Sequence, residues 1–434
     1  MSDLHIPRGQ TAMLDLVDGA LTVGNNATIQ ASNGKNVVII NGVYLEGKAY
    51  VKGDLECESL ESEVFLSRRG ELTSGSNRAR LELTGRYPGK LEVNGNLTVH
   101  KQLNVTHSVK TTGLITAEKI DVGGKIEAGS IKCGQIRVGG QADIQNMFEA
   151  ANVEVGGKVV AQGIVKLGDL HVGGEIEVGG GSITGNIRVG GRFTSKSPLE
   201  FGELLVYGKG QLPANCNGHK ISTFGKLEVD GNLNCDIIEV GGVIEIDGNC
   251  HSEHVEVGGK LDVGGSLFVS GKLEGYGSIE VERDFESAHL RLSGKLEADK
   301  VIVKEEADIS GKLETEKGLK ARLVTIRGGT RVEGVLIGER VEVGKTADLS
   351  YEGWNANWAK WATAGGMARV EDVYANEVII GQMSQVERIF AGKVKLEQCS
   401  VAWQINYTDE LQIDDNASVS EPPRKVETIS PPPF

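Results

Sequence analysis

The sequence predicts an all-β protein, a triangular parallel β-helix: a solenoid with about 17 residues in each coil. Three observations predict it. A short motif returns at a fixed step, apolar and polar residues alternate between its copies, and the chain is rich in Gly yet nearly free of Pro.

The repeat is seen first in "HVGGEIEVGG", His171 to Gly180, where Val-Gly-Gly occurs twice. Val122, Val138, Val155, Val172 and Val189 each precede Gly-Gly, at steps of 16, 17, 17 and 17. Val229, Ile246 and Val263 are 17 apart, as are Val240 and Val257, and as are Leu292, Ile309, Ile326 and Val343. A sub-step of six recurs within each 17, as from Val172 to Val178 and from Val257 to Val263. Self-similarity at a fixed short period marks a chain whose units stack on one another.

The stretch "VEVGGKLDVGGSLFV", Val255 to Val269, shows what one unit is. Apolar residues fall at 255, 257, 261, 263, 267 and 269, with polar or small residues between them. Alternation at period two is a strand with one buried face. Two inward residues fit before a Gly-containing corner, where Gly allows either positive φ or close approach. Three such faces make one coil. Coils then stack at about 4.8 Å with Val, Ile and Leu in a central column. Some 330 residues of this pattern give about 19 coils.

Composition agrees. Gly is 60 of 434 residues, about twice the usual share of roughly 7%. Of nine Pro, five follow residue 421, so the repeat region keeps its backbone donors, as continuous ladders require. Aromatic residues are 5%, in keeping with a narrow core. The net charge of −14 argues against nucleic acid as a partner, because that affinity comes from neutralising phosphates. Six scattered Cys without a Cys-x-x-Cys read as free thiols of a reducing compartment. The opening MSDLHIPRGQTAML has no apolar signal-like region and no 18-residue apolar run occurs, so the expected location is cytoplasmic, with membrane association only at a surface.

Along the chain the pattern divides into an N-terminal segment (1–19), the β-helix (20–350), a Trp-rich helical insertion (351–368), C-terminal coils or a cap (369–418), and a Pro-rich tail expected to be disordered (419–434). Two places depart from the 17-residue step. Val206 to Val229 and Val269 to Leu292 are each 23, and "YGKGQLPANCNGHKISTFG" after Val206 reads as a loop or bulged coil. Trp354, Trp358 and Trp361 have helical spacing. They are candidates for docking on the solenoid, for capping an end, or for membrane contact.

Phrases such as "LEVNGNLTV" (91–99), "GKLEVDGNL" (225–233) and "GGKLDVGGSL" (258–267), with the acidic composition and Pro-rich tail, resemble the bactofilin family of polymer-forming cytoskeletal proteins. The end, "VYANEVIIG…INYTDELQIDDNASV", is similar to the C-terminal portion of bactofilin-like proteins. The resemblance implies a right-handed β-helix that associates end to end, as a homopolymer, without nucleotide. This chain is longer than a typical bactofilin core, and MSDLHIP lacks the apolar membrane-targeting stretch of many members.

Other chemistry is weighed against ordinary structure. "CHSEH", Cys250 to His254, has zinc-ligand types but sits by a coil corner, where a solvated turn is the simpler reading. Glu228, Glu245 and Asp262 step by 17, as do Glu239 and Glu256, so like charges stack and either a cation or nearby Lys226 and Lys260 must offset them. The basic stretch Ser67 to Lys90 reads as a solvated loop rather than a site for an anionic surface. No catalytic group and no metal or other cofactor is expected. The leading function is a structural, self-assembling scaffold that binds itself and positions other proteins or a membrane surface. The alternatives are an extracellular β-solenoid adhesin or polysaccharide-acting protein, and a hexapeptide-repeat acyltransferase, which needs a period nearer 18 and a catalytic His.

Overall fold

The computed structural model describes residues 3–32, 34, 36–62, 90–105, 107–327, 329–345, 368–382 and 384–433. The protein is all-β, 76% strand with no helix among the described residues: a parallel β-solenoid of about 21 turns with about 17 residues per coil. Two compact units divide it, Met1–Leu212 and Pro213–Phe434. Trp354, Trp358 and Trp361, the expected helix around them, and the basic stretch up to residue 89 lie outside the described residues.

One coil of the first unit shows the construction. Face 1 is Lys125–Ala128, and the strand Ser130–Val138 bends through faces 2 and 3. Each face turns two side chains inward: Ile126 and Ala128, then Ile131 and Cys133, then Ile136 and Val138. Every strand pairs in parallel with its equivalent one turn later, so Val122, Val138, Val155, Val172, Val189 and Val206 form one column. Val178 belongs to face 1 of the following coil.

The second unit repeats the plan. Val229, Ile246 and Val263 pair in sequence on face 1, and Val240 pairs with Val257 on face 3. The ten Val and Ile residues that the repeat singles out, from Val122 to Val263, are all at most 2% exposed. Burying each such side chain stabilises by about 1.5–3 kcal/mol, and the stacked columns are what holds the coils together. The core also admits rings, with Phe148, Phe193 and Phe285 among the largest fully buried side chains. Phe193 fits because its register partner is Gly210.

The Val-Gly-Gly motif has a packing cause. At the second Gly, a Cβ would lie about 2 Å from a carbonyl oxygen of the previous corner: 1.9 Å from Gly140 O at Gly157, and 2.0 Å from Gly242 O at Gly259. At the first Gly the nearest atom is 3.7 Å away for Gly156 and 3.6 Å for Gly258. At this corner, between faces 3 and 1, close approach rather than positive φ is what the second Gly supplies; at Val178-Gly-Gly, between faces 1 and 2, Gly180 instead has φ +115°. The first position is free to vary, and Tyr207, Phe224 and Tyr276 occupy it with half or more of their surface exposed.

The two irregular steps are not breaks in the coil. Residues 209–213 and 216–223 are strands, and Thr223, fully buried, stands where the valines stand and pairs with Val240. After Val257 the column continues through Gly275 to Leu292, because Gly275 leaves out the side chain whose Cβ would lie 2.9 Å from Ile279 Cδ1. Genuine interruptions occur elsewhere, at the corner between faces 3 and 1. In the first unit Lys48–Lys52 pairs with Lys90–Asn94, Val51 with Val93, a register step of 42 residues. In the second Arg331–Lys345 pairs with Ala368–Ile380, Val343 with Ile380, a register step of 37 residues.

Both termini differ from the sequence reading. Pairing begins at Leu4 rather than near residue 20. The tail is not structureless: Ser418–Val419 and Arg424–Lys425 pair with the strand Val401–Ile413.

Candidate functional site

The candidate chemistry lands on regular coil surface. In Cys250 to His254, Cys250 and Ser252 point into the core, while His251 and Glu253 are exposed on the outside. Strict alternation thus separates the thiol from the imidazole and carboxylate, and no cluster of metal-ligand residues exists among the described residues. His251 stacks on Phe268 of the next coil, with centroids 4.7 Å apart and planes 13° apart. Around this stack lies a surface groove of about 560 Å³, bordered by Asn234, Asp236, Glu253, Ser270 and Glu286.

The acidic stack is longer than the sequence reading supposed. Glu228, Glu245, Asp262, Glu280, Glu297, Glu314 and Glu333 follow one another in register on face 1. Lysines two residues upstream neutralise them. Lys226 lies 2.9 Å from Glu228 and 2.8 Å from Glu245, Lys260 2.9 Å from Glu280, and Lys295 2.7 Å from Glu297 and 2.8 Å from Glu314. Each lysine therefore bridges two coils. These contacts hold Lys226, Lys260 and Lys295 above the ordinary lysine value and Glu314 below the ordinary carboxylate value. The repulsion along the ladder is met by side chains of the protein itself.

Backbone chemistry at the first and last coils is less complete. Leu4–Ile6 pairs with Leu21–Val23, Thr11–Leu14 with Ala27–Ala31, and Leu16–Val17 with Val38 and Ile39. Among the described residues these three strands have no partner on their other side. The core column is also less covered here: Leu4 is 37% exposed, and Ala12 and Leu14, though inward by register, are only half-buried. Met13 and Leu16 add apolar surface at 62% and 63% exposure. The edge thus offers unpaired backbone groups and apolar side chains together.

The last full coil ends in the strand Val401–Ile413. Its inward residues Ala402 and Ile405 are fully buried although no complete coil follows. The tail supplies the cover. The Ser418 amide donates to Ser400 O at 2.9 Å, Ser420 to Ala402 O at 3.0 Å, Glu421 to Trp403 O at 2.9 Å, and Val426 to Tyr407 O at 2.9 Å. Faces 1 and 2 are covered in this way. Face 3 is not, and there Ile413 is 41% exposed beside the exposed acids Asp409, Glu410, Asp414 and Asp415.

Sequence reasoning placed the repeat residues in the core and expected a pairing edge at each end, but did not assign the residues of either edge. A signal for the first was present: "TAML" at Thr11–Leu14 stands 17 residues before "TIQA" at Thr28–Ala31, its register partner. No helix among the described residues is long and apolar enough to cross a membrane. The class of protein that these features define is the parallel β-solenoid. Compared with protein-family models, curated proteins and solved structures, the chain matches none.

Proposed function

We propose that this protein is a structural scaffold that self-assembles through its coil edges, without nucleotide or metal, in the manner that its resemblance to bactofilins implies. The observation that carries the reading is the first coil: three strands that, among the described residues, have no partner on one side, beside exposed Leu4, Met13 and Leu16. Such an edge is a template for another β-edge. Only a partner of the same triangular section offers three strands at once, and a second copy of this chain has that section. Head-to-head contact of this kind is self-complementary.

The rest of the molecule supports a mechanical role. Its stability comes from columns of aliphatic side chains and from lysines bridging successive coils. Solenoids of this kind gain stability from each neighbour contact, so length adds rigidity and surface for positioning other proteins. We place the protein in the cytoplasm, where its buried free thiols stay reduced.

A second reading has one observation in its favour. The groove around His251 and Phe268 carries several carboxylates on one face, as a polysaccharide-acting solenoid would. Sedimentation velocity and negative-stain microscopy of the purified chain, free of nucleotide and with chelator present, test the leading reading. Concentration-dependent association supports it. A strictly monomeric species over a hundredfold concentration range refutes it.

A further inference from the structure

The tail and the acids around it suggest how assembly is limited. This inference rests on the self-assembly reading and deepens it. We infer that residues 418–426 are a built-in cap on the last coil, so that copies of the intact chain join through their first coils alone and growth beyond pairs requires release of the tail.

The argument starts from what an edge needs in order to propagate. A strand recruits another when it presents a run of N–H and C=O groups. The strand Val401–Ile413 could do so along all three faces. The tail occupies two of them, bonding at Ser400, Ala402, Trp403 and Tyr407. The tail itself is a poor template. Its two paired pieces, Ser418–Val419 and Arg424–Lys425, are two residues each. Between them lie Pro422 and Pro423, which have no N–H to give. Short strands, Pro and charge are the means by which natural sheets blunt their edges.

The uncovered third face adds a second barrier. Asp409, Glu410, Asp414 and Asp415 are all exposed there, and in the tail Arg424 and Lys425 are balanced by Glu421 and Glu427, so the four acids stay in excess. A tail-to-tail contact related by a two-fold axis would set this acidic surface against its own copy, which like charges oppose. The first coil also has short strands, of three, four and two residues, with Pro7 between two of them, but among the described residues no segment covers it. Its strands lack an outer partner among the described residues, no Pro interrupts Thr11–Val17, and its exposed Leu4, Met13 and Leu16 are apolar. One edge invites a partner, and the other is covered.

The cap is held by little. Two short parallel pairings with the strand Val401–Ile413, the backbone bonds that flank them and the half-buried side chains of Val419 and Val426 attach it. That suits a segment that comes away: a protease cut after residue 417, or a protein that takes the Pro-rich strand, would expose Ala402 and Ile405 and make the second edge available.

Sedimentation velocity and negative-stain microscopy of three forms test this: the full chain, the chain ending at Ala417, and a full-length Val419→Asp, Val426→Asp variant that keeps the tail but detaches it. Circular dichroism confirms that each is folded. The intact chain is expected to reach a dimer and no further, while the other two form species longer than dimers, seen as filaments. Leu14→Lys should make the intact chain monomeric and hold the truncated chain at dimers. Filaments of the intact chain equal to those of the truncated chain would overturn the cap and leave self-assembly standing. Dimers that persist unchanged in both tail variants would also overturn it. Monomers in every form would refute self-assembly itself, and the cap with it.

Discussion

Replacing Val257 by Asp tests the coil register more sharply than any other single change. Val257 lies on face 3, fully buried, paired with Val240 before it and Gly275 after it. Its neighbour Glu256 points outward and pairs with Glu239 and Glu274. The substitution removes an aliphatic side chain whose burial stabilises by about 1.5–3 kcal/mol. It also places a carboxyl group where no polar partner waits, at about 1–3 kcal/mol more on protein scales. The total cost is therefore about 2.5–6 kcal/mol. Burial drives such a carboxyl toward its neutral form, so its folded pKa lies above its unfolded one. The folded state then binds the extra proton, and stability falls as pH rises above the unfolded value. The variant should be hurt more at pH 7 than at pH 4. Glu256→Lys is the control. It replaces the middle of three stacked acids and should leave stability within about 0.5 kcal/mol of the parent, on the stabilising side. Urea denaturation followed by circular dichroism measures both. Equal midpoints, or a greater loss from Glu256→Lys, would refute the inward and outward assignments.

Further outcomes follow from the same geometry. Gly157→Ala puts a Cβ against the Gly140 carbonyl and should cost about 1–3 kcal/mol, whereas Gly156→Ala, with 3.7 Å of room, should be tolerated; equal thermal midpoints would contradict the corner packing. Burial pushes the thiols of Cys57, Cys133 and Cys235 up to about 12, so native protein at neutral pH should label with iodoacetamide at exposed Cys399 and not at these three; mass spectrometry showing native modification of Cys235 would contradict its inward position. Glu127 and Glu314 are held below the ordinary carboxylate value of 4.5 by Lys125 and Lys295, so their contribution is present above that value and is lost as pH falls through their lowered ones. Lys295→Met should flatten the acid limb of the stability profile of the second unit, and an unchanged limb would remove the lysine ladder from the account.

The spacing of Val-Gly-Gly alone carried the coil length, the identity of the inward residues and the parallel stacking, because a solenoid makes its strongest contacts between residues one period apart. Val172 and Val189 touch for the same reason that they look alike. Even the corner was half legible: Gly-Gly announced a tight place, but only the coordinates show that its second residue meets the carbonyl of the coil before, while its first faces open solvent. Where the period is broken by substitution rather than by insertion, sequence misleads. Thr223 and Gly275 stand in valine positions, so two continuous coils looked like slips, the second also carrying one extra residue between Val269 and Lys272, the partners of Ser252 and His254. The charge ladders were visible as acids 17 apart, but the lysine bridges depend on side-chain reach between coils. The edges were barely legible in the sequence. An edge is defined by what fails to pair with it, and periodicity describes only what does. Leu4 to Val17 has too few repeats to stand out, and the tail has no repeat at all. Its place on Ala402 and Ile405 is decided by backbone hydrogen bonds, which any sequence can make and none announces.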